Sequence, residues 1–319
     1  MRFILLLIAL PLLATFAPPA LQDREPPPAV TLVRFTPVAL RGEAPDDRRL
    51  GRLLYLGGWV VTSNDARLGG LSALHVEAGE ALALSDAGWR VRFPMPPARG
   101  PVKAELAFIR EGPGPPGDKI YRDVESLAVA AGQAWLGYEQ SNQLWRYDRR
   151  SFQRRSSAAP PAMREWSDNA GPEAMVRLPD GRFLIFAEGD GGGSEALLFA
   201  GDPAVPGTAA LRLRYRPPAG YRVTDAAALP DGRLILLNRR VALFEGFTAR
   251  LVVAALPRLA DRALIAGQEI AAFEGAVTRD NFEALSVTRE GPRTILWIAS
   301  DDNYNPFQRT LLMKFALDE

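Results

Sequence analysis

Short apolar runs that alternate with polar turn segments dominate the chain beyond residue 50. The runs at 183–186, 234–237 and 295–298 are continuously apolar. Such runs between turn signals are typical of fully buried strands. Two of the turns read Pro-Asp-Gly-Arg, at 179–182 and 230–233, in which proline fixes φ and glycine accepts a positive φ. The pattern predicts successive hairpins and an all-β fold.

The hairpins belong to a repeat. Five segments share one layout, in which a polar residue precedes a short strand, a turn and a second, apolar strand. The leading polar residues are Ser72, Glu125, Glu173, Asp225 and Glu283. Their separations are 53, 48, 52 and 58 residues, and a period near 50 with four strands per repeat is typical of a β-propeller blade. We predict a single β-propeller of four-stranded blades.

The last repeat lacks one strand, because only the run at 311–315 follows its hairpin. We assign its missing outer strand to residues 53–61, so that strands from the two ends of the chain share a blade and close the ring without free edges. Five repeats are visible, and residues 29–40 could contribute to a sixth blade, so the prediction is five or six blades. A β-sandwich or two smaller β domains is the alternative, which the regular spacing disfavours.

The N-terminus has the layout of a secretory signal peptide. Arg2 precedes an apolar run at 3–16, and small residues follow at Ala17 and Ala20. The run is shorter than the roughly 20 apolar residues of a membrane span, although an uncleaved anchor is the alternative. We predict a signal peptide at 1–20, a leader segment at 21–47 and the propeller at 48–319. The protein is then periplasmic or secreted, with no integral membrane segment after signal removal.

Composition excludes several kinds of site. The chain has no cysteine, which rules out disulfides and thiolate chemistry. Its 38 Lys+Arg nearly balance 37 Asp+Glu, so a nucleic-acid partner is not expected. The single histidine, His75, cannot build a three-histidine zinc site. Ser72 lies three positions away on the opposite face of a strand, so a serine triad is disfavoured. We expect a monomer.

A second polar set ends the second strand of each repeat: Asp86, Glu139, Glu188, Asn238 and Asp301. Hairpin strands are antiparallel, so this set should lie beside the leading residues. Crowded carboxylates require a cation, arginines or protonation, and oxygen ligands suit Ca²⁺ first and Mg²⁺ second. The predicted metal ligands are Asp86, Glu125, Glu173, Asp225, Glu283 and Asp301. In the alternative, these carboxylates cap strands and pair with arginines such as Arg90, Arg122, Arg146 and Arg239.

Several motifs resemble the esterase-like, phytase-like propeller family. They are Leu-Gly-Gly-Leu-Ser-Ala-Leu at 68–74 leading to Leu-Ser-Asp at 84–86, Asp-Val-Glu-Ser-Leu at 123–127, Gly-Pro-Glu-Ala-Met at 171–175 and Asn-Phe-Glu-Ala-Leu at 281–285, with Ala-Ser-Asp-Asp-Asn-Tyr-Asn-Pro-Phe-Gln-Arg-Thr at 299–310. The resemblance runs from about residue 50 to the C-terminus. It implies a hydrolase with an acidic site at the channel mouth, similar to calcium-dependent propeller phytases. The fourth repeat departs from the family pattern, because Ala226-Ala227 follow Asp225 where a glycine or serine and a leucine are expected.

These observations favour a metal-dependent hydrolase of phosphate or carboxylic esters. The catalytic candidates are Glu125, Glu173 and Glu283, and Arg90 and Arg239 are the candidates for holding a small anionic or ester substrate. A propeller lactonase is the nearest enzymatic alternative. A non-catalytic propeller that binds a ligand or protein is the alternative from another class, since the fold alone does not decide function.

Overall fold

The computed structural model describes residues 28–96, 100–115, 119–167 and 170–318. The predicted signal peptide lies outside these residues and stays a prediction. Of the residues described, no helix is long and apolar enough to cross a membrane. Within these described residues, one four-residue helix, α1 (Lys119–Arg122), and one 3-10 turn (Pro161–Met163) interrupt an otherwise all-β structure.

The strands follow one another in hairpins, as the turns predict. The N-terminal strands are β1 (Ala29–Pro37), β2 (Arg49–Leu50) and β3 (Leu53–Ser63). Blade 1 consists of β4 (Leu71–Glu77), β5 (Glu80–Ser85), β6 (Trp89–Pro94) and β7 (Val102–Phe108). Blade 2 consists of β8 (Val124–Ala130), β9 (Gln133–Tyr138), β10 (Gln143–Asp148) and β11 (Arg154–Ala158).

Blade 3 consists of β12 (Pro172–Arg177), β13 (Phe183–Ala187), β14 (Ser194–Phe199) and β15 (Ala210–Tyr215). Blade 4 consists of β16 (Arg222–Ala228), β17 (Leu234–Ala242), β18 (Gly246–Ala254) and, after the short β19 (Ala263–Ile265), β20 (Gly267–Phe273). Blade 5 contains β21 (Phe282–Glu290), β22 (Arg293–Ser300), β23 (Leu311–Leu317) and β3.

The first strands of the blades form the inner ring of a propeller. In the described part of the chain, β4, β8, β12, β16 and β21 lie side by side in that order, and β21 returns to β4. Side chains tie neighbouring strands together: Ser72 Oγ donates to Val124 O at 2.5 Å, and Ser126 Oγ donates to Pro172 O at 2.5 Å. Hydrophobic clusters fill the spaces between adjacent sheets. The propeller fold is confirmed.

The predicted closing strand is also confirmed. β3 pairs antiparallel with β23, with Leu311 opposite Val60 and Leu317 opposite Leu53. Segment 29–40 does not start a further blade in the described structure. Instead, β1 pairs with β3 on one side and with β7 on the other, which joins blades 5 and 1 into one sheet. The predicted leader segment therefore contributes a strand that covers two blade edges.

Candidate functional site

A β-bulge near the start of each inner strand creates the inner layer of the site. The register of every first hairpin skips one residue at the same place, and a bulge of this kind re-aims a side chain. The skipped residues are Ser72, Glu125, Glu173, Thr224 and Glu283. All five lie at one end of the ring, which we call the mouth.

The outer layer comes from the residues directly after the paired ends of the second strands. Leu71 pairs with Ser85, and the equivalent pairs in the other blades place their next residues at the mouth. These residues are Asp86, Glu139, Glu188 and Asp301. In blade 4 the second strand continues, and the equivalent position, directly after the Val223–Asn238 pair, is Arg239. Both layers differ from the sequence alignment in blade 4 alone, where Arg222 pairs with Arg239 and Val223 with Asn238. The alignment of the fourth repeat is therefore wrong by one residue at each end of its hairpin.

The shift removes Asp225 and Asn238 from the mouth. Asp225 is buried, and its two carboxylate oxygens accept the backbone N–H of Ala226 at 2.7 Å and of Leu285 at 2.6 Å. Asn238 is fully buried and accepts the Tyr215 hydroxyl at 2.9 Å. Each side chain thus makes a structural contact between blades: Asp225 joins blades 4 and 5, and Asn238 joins blades 3 and 4.

The densest part of the mouth is an acid cluster that we define as Asp123, Glu125, Glu139 and Glu173. Asp123, Glu125 and Glu139 each offer an oxygen within 4.8 Å of the other two. Burial raises the pKa of Glu125 well above its ordinary value, and the nearby charges of Asp123 and Glu173 raise it further. Burial and the charges of Glu139 and Glu188 do the same to the pKa of Glu173. Both shifts disfavour a fully ionised cluster.

Glu139 and Glu173 interact directly. Burial and the charge of Asp123 raise the pKa of Glu139 to about 8, whereas the contact with the Glu173 side chain acts in the lowering direction. A carboxyl group whose pKa is raised this far approaches the range in which a general acid or base is effective near neutral pH.

Blade 4 supplies the positive side of the mouth. Arg239 forms ion pairs with Glu283 and, at 3.8 Å, with Glu188. Arg222 binds Glu188 at 3.0 Å, and its side chain is 48% exposed. Arg222 stands two residues before the bulge, where blade 2 carries Asp123. In the described chain, these two arginines replace acidic or neutral residues of the other blades, so the site has an acidic side and a guanidinium side.

At the junction of blades 5 and 1, Asp301 and Asp302 hold the mouth together. Asp301 accepts the Asn303 N–H at 2.6 Å, and burial raises its pKa well above its ordinary value, as do the charges of Glu283 and Asp86. Asp302 accepts the Gly70 N–H at 2.9 Å and the Thr310 hydroxyl at 2.8 Å. These contacts hold the 301–310 loop over the start of β4.

Two further sequence candidates lie away from the mouth. Arg90 is on β6, the third strand of blade 1, where its guanidinium stacks 4.8 Å from the Phe152 ring centre. The structure thus separates Arg90 from Arg239, with which it was grouped as a substrate-binding residue. His75 is on β4 beyond the bulge, and burial lowers its pKa to about 4. Neither side chain contacts the acid cluster through any described contact.

The sequence agrees with this geometry at the family level. A family model of phytase-like proteins, described as esterase-like activity of phytase, matches residues 66–304. The chain belongs to this phytase-like family. The match covers the inner strands of all five described blades and every mouth residue named above, so the recognised motifs are the ones that build the mouth. No curated protein matches the sequence.

Solved structures similar to this phytase-like protein are distant. One assigned as a gluconolactonase shows 12% identity and a TM-score of 0.46, with 96% of each chain covered. Glutaminyl cyclase from Myxococcus xanthus shows 9% identity and a TM-score of 0.43, over 91% of this chain and 97% of that one. The Swd1 β-propeller domain from Myceliophteria thermophila shows 8% identity and a TM-score of 0.41, over 91% of this chain and 100% of that one. No activity is carried over from them.

Proposed function

We propose that the protein is a divalent-cation-dependent hydrolase of phosphate or carboxylic esters that acts at the mouth of the propeller. Membership of the phytase-like family supports a hydrolase of this kind. The observation that carries the proposal is the group of Asp123, Glu125 and Glu139, whose oxygens lie within 4.8 Å of one another. The proposed ligands are therefore Asp123, Glu125 and Glu139, and of the six ligands predicted from the sequence only Glu125 is retained.

The donor chemistry fits a hard cation. Ca²⁺ takes oxygen ligands at about 2.3–2.6 Å, so two oxygens on one ion are at most about 5 Å apart. The spacing of the three carboxylates meets this limit without rearrangement. A cation would also replace the protons that burial and mutual repulsion now hold on Glu125 and Glu139. Ca²⁺ is the first candidate and Mg²⁺ the second.

The residues around the proposed cation site would activate water and bind the substrate. When bound, the cation would polarise the ester and lower the pKa of a water molecule. Glu173 would accept a proton from that water, because it borders the ligand group and interacts with Glu139. Arg239 interacts electrostatically with Glu173 and Glu125 of the acid cluster, and Arg222 shares Glu188 with Arg239. These two arginines would bind an anionic part of the substrate. Glu283 accepts from Arg239 and from Asn281, so it positions that guanidinium.

The test combines binding with turnover. Metal-stripped protein is melted alone, with Ca²⁺ and with Mg²⁺, and then assayed on p-nitrophenyl phosphate, p-nitrophenyl acetate and a simple lactone. A cation that binds only the folded protein raises the Tm. We expect Ca²⁺ to raise the Tm and to restore hydrolysis of at least one ester.

Glu125→Gln is the decisive variant, because it removes one ligand charge and leaves the shape of the side chain. It should abolish the Ca²⁺-dependent rise in Tm and the hydrolysis, while the metal-free Tm stays equal or increases as repulsion is relieved. Glu80→Gln, at an exposed position on β5, is the matched control. An unchanged Ca²⁺ response in Glu125→Gln would remove the proposed metal site. Turnover of the lactone alone would assign a lactonase instead.

A further inference from the structure

A second charged feature lies at the mouth end of blade 3, outside the acid cluster. It is a groove of about 760 Å³ whose lining includes Arg212, Arg214, Arg216 and Arg262. We call it the arginine groove. Its other side is the glycine loop 189–193, which follows Glu188 directly. A volume of this size is typical of a small-molecule site.

The strand pattern aims the arginines into the groove. Leu213 and Tyr215 of β15 are buried, so the alternate residues Arg212, Arg214 and Arg216 point to the other face. Successive side chains on one face of a strand are roughly 7 Å apart. Arg212 and Arg214 therefore lie on one face of β15, and Arg216 directly follows its last residue.

The fourth arginine, Arg262, directly precedes β19, which adds a fifth strand to the sheet of blade 3. β19 pairs parallel with β15 at the outer edge, with Leu213 opposite Ala263. The Arg262 N–H donates to Arg212 O at 2.7 Å, and the Arg216 N–H donates to Ile265 O at 3.0 Å. These bonds bracket the pairing at both ends. Arg262 also has a φ of 56°, a left-handed conformation that costs a non-glycine residue free energy.

The groove has a surplus of positive charge. Arg212 is paired with Glu195 and, at 3.6 Å, with Glu165, and Asp190 accepts the Gly192 N–H at 2.9 Å within the glycine loop. Four arginines thus stand against three carboxylates. Arg214, Arg216 and Arg262 are exposed, and none of them forms an ion pair within the described structure. Assembling like charges is unfavourable unless an anion neutralises them.

We propose that the arginine groove binds a small anion that carries at least two phosphate or carboxylate groups. Guanidinium groups bind both kinds of oxyanion in bidentate fashion. Arginines spaced by roughly 7 Å along a strand can each bind a separate group, so a ligand with two or more groups gains most. The site is separate from the acid cluster and opposite in charge, so it requires no cation.

Isothermal titration of the metal-stripped protein tests the proposal, with pyrophosphate and citrate as probes and acetate as the singly charged comparison. We expect at least one probe to bind, and acetate to bind at least tenfold more weakly. Binding of pyrophosphate alone would assign the groove to phosphates, and binding of citrate alone would assign it to carboxylates. Absence of binding by both would overturn the proposal.

Charge-matched variants locate the binding. Arg214→Gln/Arg216→Gln should weaken it at least tenfold. Arg34→Gln/Arg293→Gln removes the same charge from exposed positions on other strands and should leave it unchanged. Equal losses in the two double variants would show a general charge effect and overturn the assignment. Glu125→Gln should bind the probe normally, which separates this site from the proposed hydrolytic site whether or not that site is active.

Discussion

Arg222 shows how a single position can give the mouth its polarity. In blade 2 the equivalent residue is Asp123, a candidate cation ligand, whereas in blade 4 an arginine reaches Glu188 at 3.0 Å. Its side chain is half exposed, so it can turn from Glu188 toward a substrate without first being desolvated. Arg239, by contrast, is held by Glu283 and Asn281.

We expect Arg222→Gln to raise the KM for an anionic ester about tenfold and to leave kcat within about twofold, since a charge-assisted hydrogen bond contributes about 1.5–3 kcal/mol. Steady-state kinetics on p-nitrophenyl phosphate and p-nitrophenyl acetate would measure this. The neutral acetate ester should show no change, and it serves as the internal control. An equal rise in KM for both esters would mean that Arg222 has only a structural role.

Asp225 illustrates the opposite case, an acidic residue with a structural function. Asp225→Asn places an NH₂ donor opposite one of two backbone N–H donors that the carboxylate now accepts. We expect a loss of about 1–3 kcal/mol in the free energy of unfolding, because one buried donor becomes unsatisfied. Urea denaturation would measure it. The Ca²⁺-induced rise in Tm should persist in this variant, and its loss would return Asp225 to the ligand set.

The strands were more predictable than the register. Apolar runs and the two Pro-Asp-Gly-Arg turns identify buried hairpins directly, since the hydrophobic pattern and the turn chemistry agree. Closure by β3 followed from the missing strand of the last blade. β1 and β19 were not assigned these partners, because each adds to an edge made by residues far away in sequence.

The site was predicted in part for a related reason. Glu125, Glu173 and Glu283 stand in clear motifs, and the structure brings them together at the mouth. In the fourth repeat the motif is degenerate. The alignment places the acidic residue Asp225 at the position of the glutamates, although Thr224 occupies the bulge. A bulge leaves no periodic signal of its own in the sequence. The correct register would have revealed Arg222, two residues before Thr224, at the place of Asp123.

Closure of the ring depends on close packing along β3. Gly58 lies opposite Met313 of β23, and a Cβ there would meet Met313 Sδ and the Tyr55 hydroxyl at 2.6 Å each. We expect Gly58→Ala to lower the free energy of unfolding by about 1–3 kcal/mol, the usual cost of overpacking a core. Gly42→Ala adds the same methyl group where no atom lies within 4 Å, and it is the thermal-melting control. Equal melting temperatures of the two variants would contradict this account of the closing strand.

Stability of the complete propeller should depend on pH through the mouth. Burial and mutual repulsion raise the pKa of Glu139 to about 8 and the pKa values of Glu125, Glu173 and Asp301 well above their ordinary range. In the unfolded chain these groups lose their protons near pH 4–4.5. The folded protein thus binds more protons above that pH, and its stability must fall as the pH rises toward about 8.

His75 acts in the opposite direction, but only at lower pH. Its pKa is lowered to about 4 by burial, so stability rises with pH between about 4 and 6.5 and gains nothing above that range. Between pH 6.5 and 8, the pH dependence of stability therefore reflects the mouth carboxyl groups without an opposing contribution from His75. Each group contributes a slope of at most about 1.4 kcal/mol per pH unit. We expect the Tm of the metal-free protein to decrease across this interval.

A cation at the acid cluster would reverse this trend, because it displaces the protons and its affinity rises as they leave. The Ca²⁺-induced increase in Tm should therefore be larger at pH 8 than at pH 6.5, and titration calorimetry in buffers of different ionisation enthalpy should detect proton release on binding. Glu125→Gln should flatten the metal-free profile, whereas Glu80→Gln should not. A metal-free Tm that rises from pH 6.5 to 8 would show that the mouth carboxylates are already ionised, and that arginines rather than protons neutralise them.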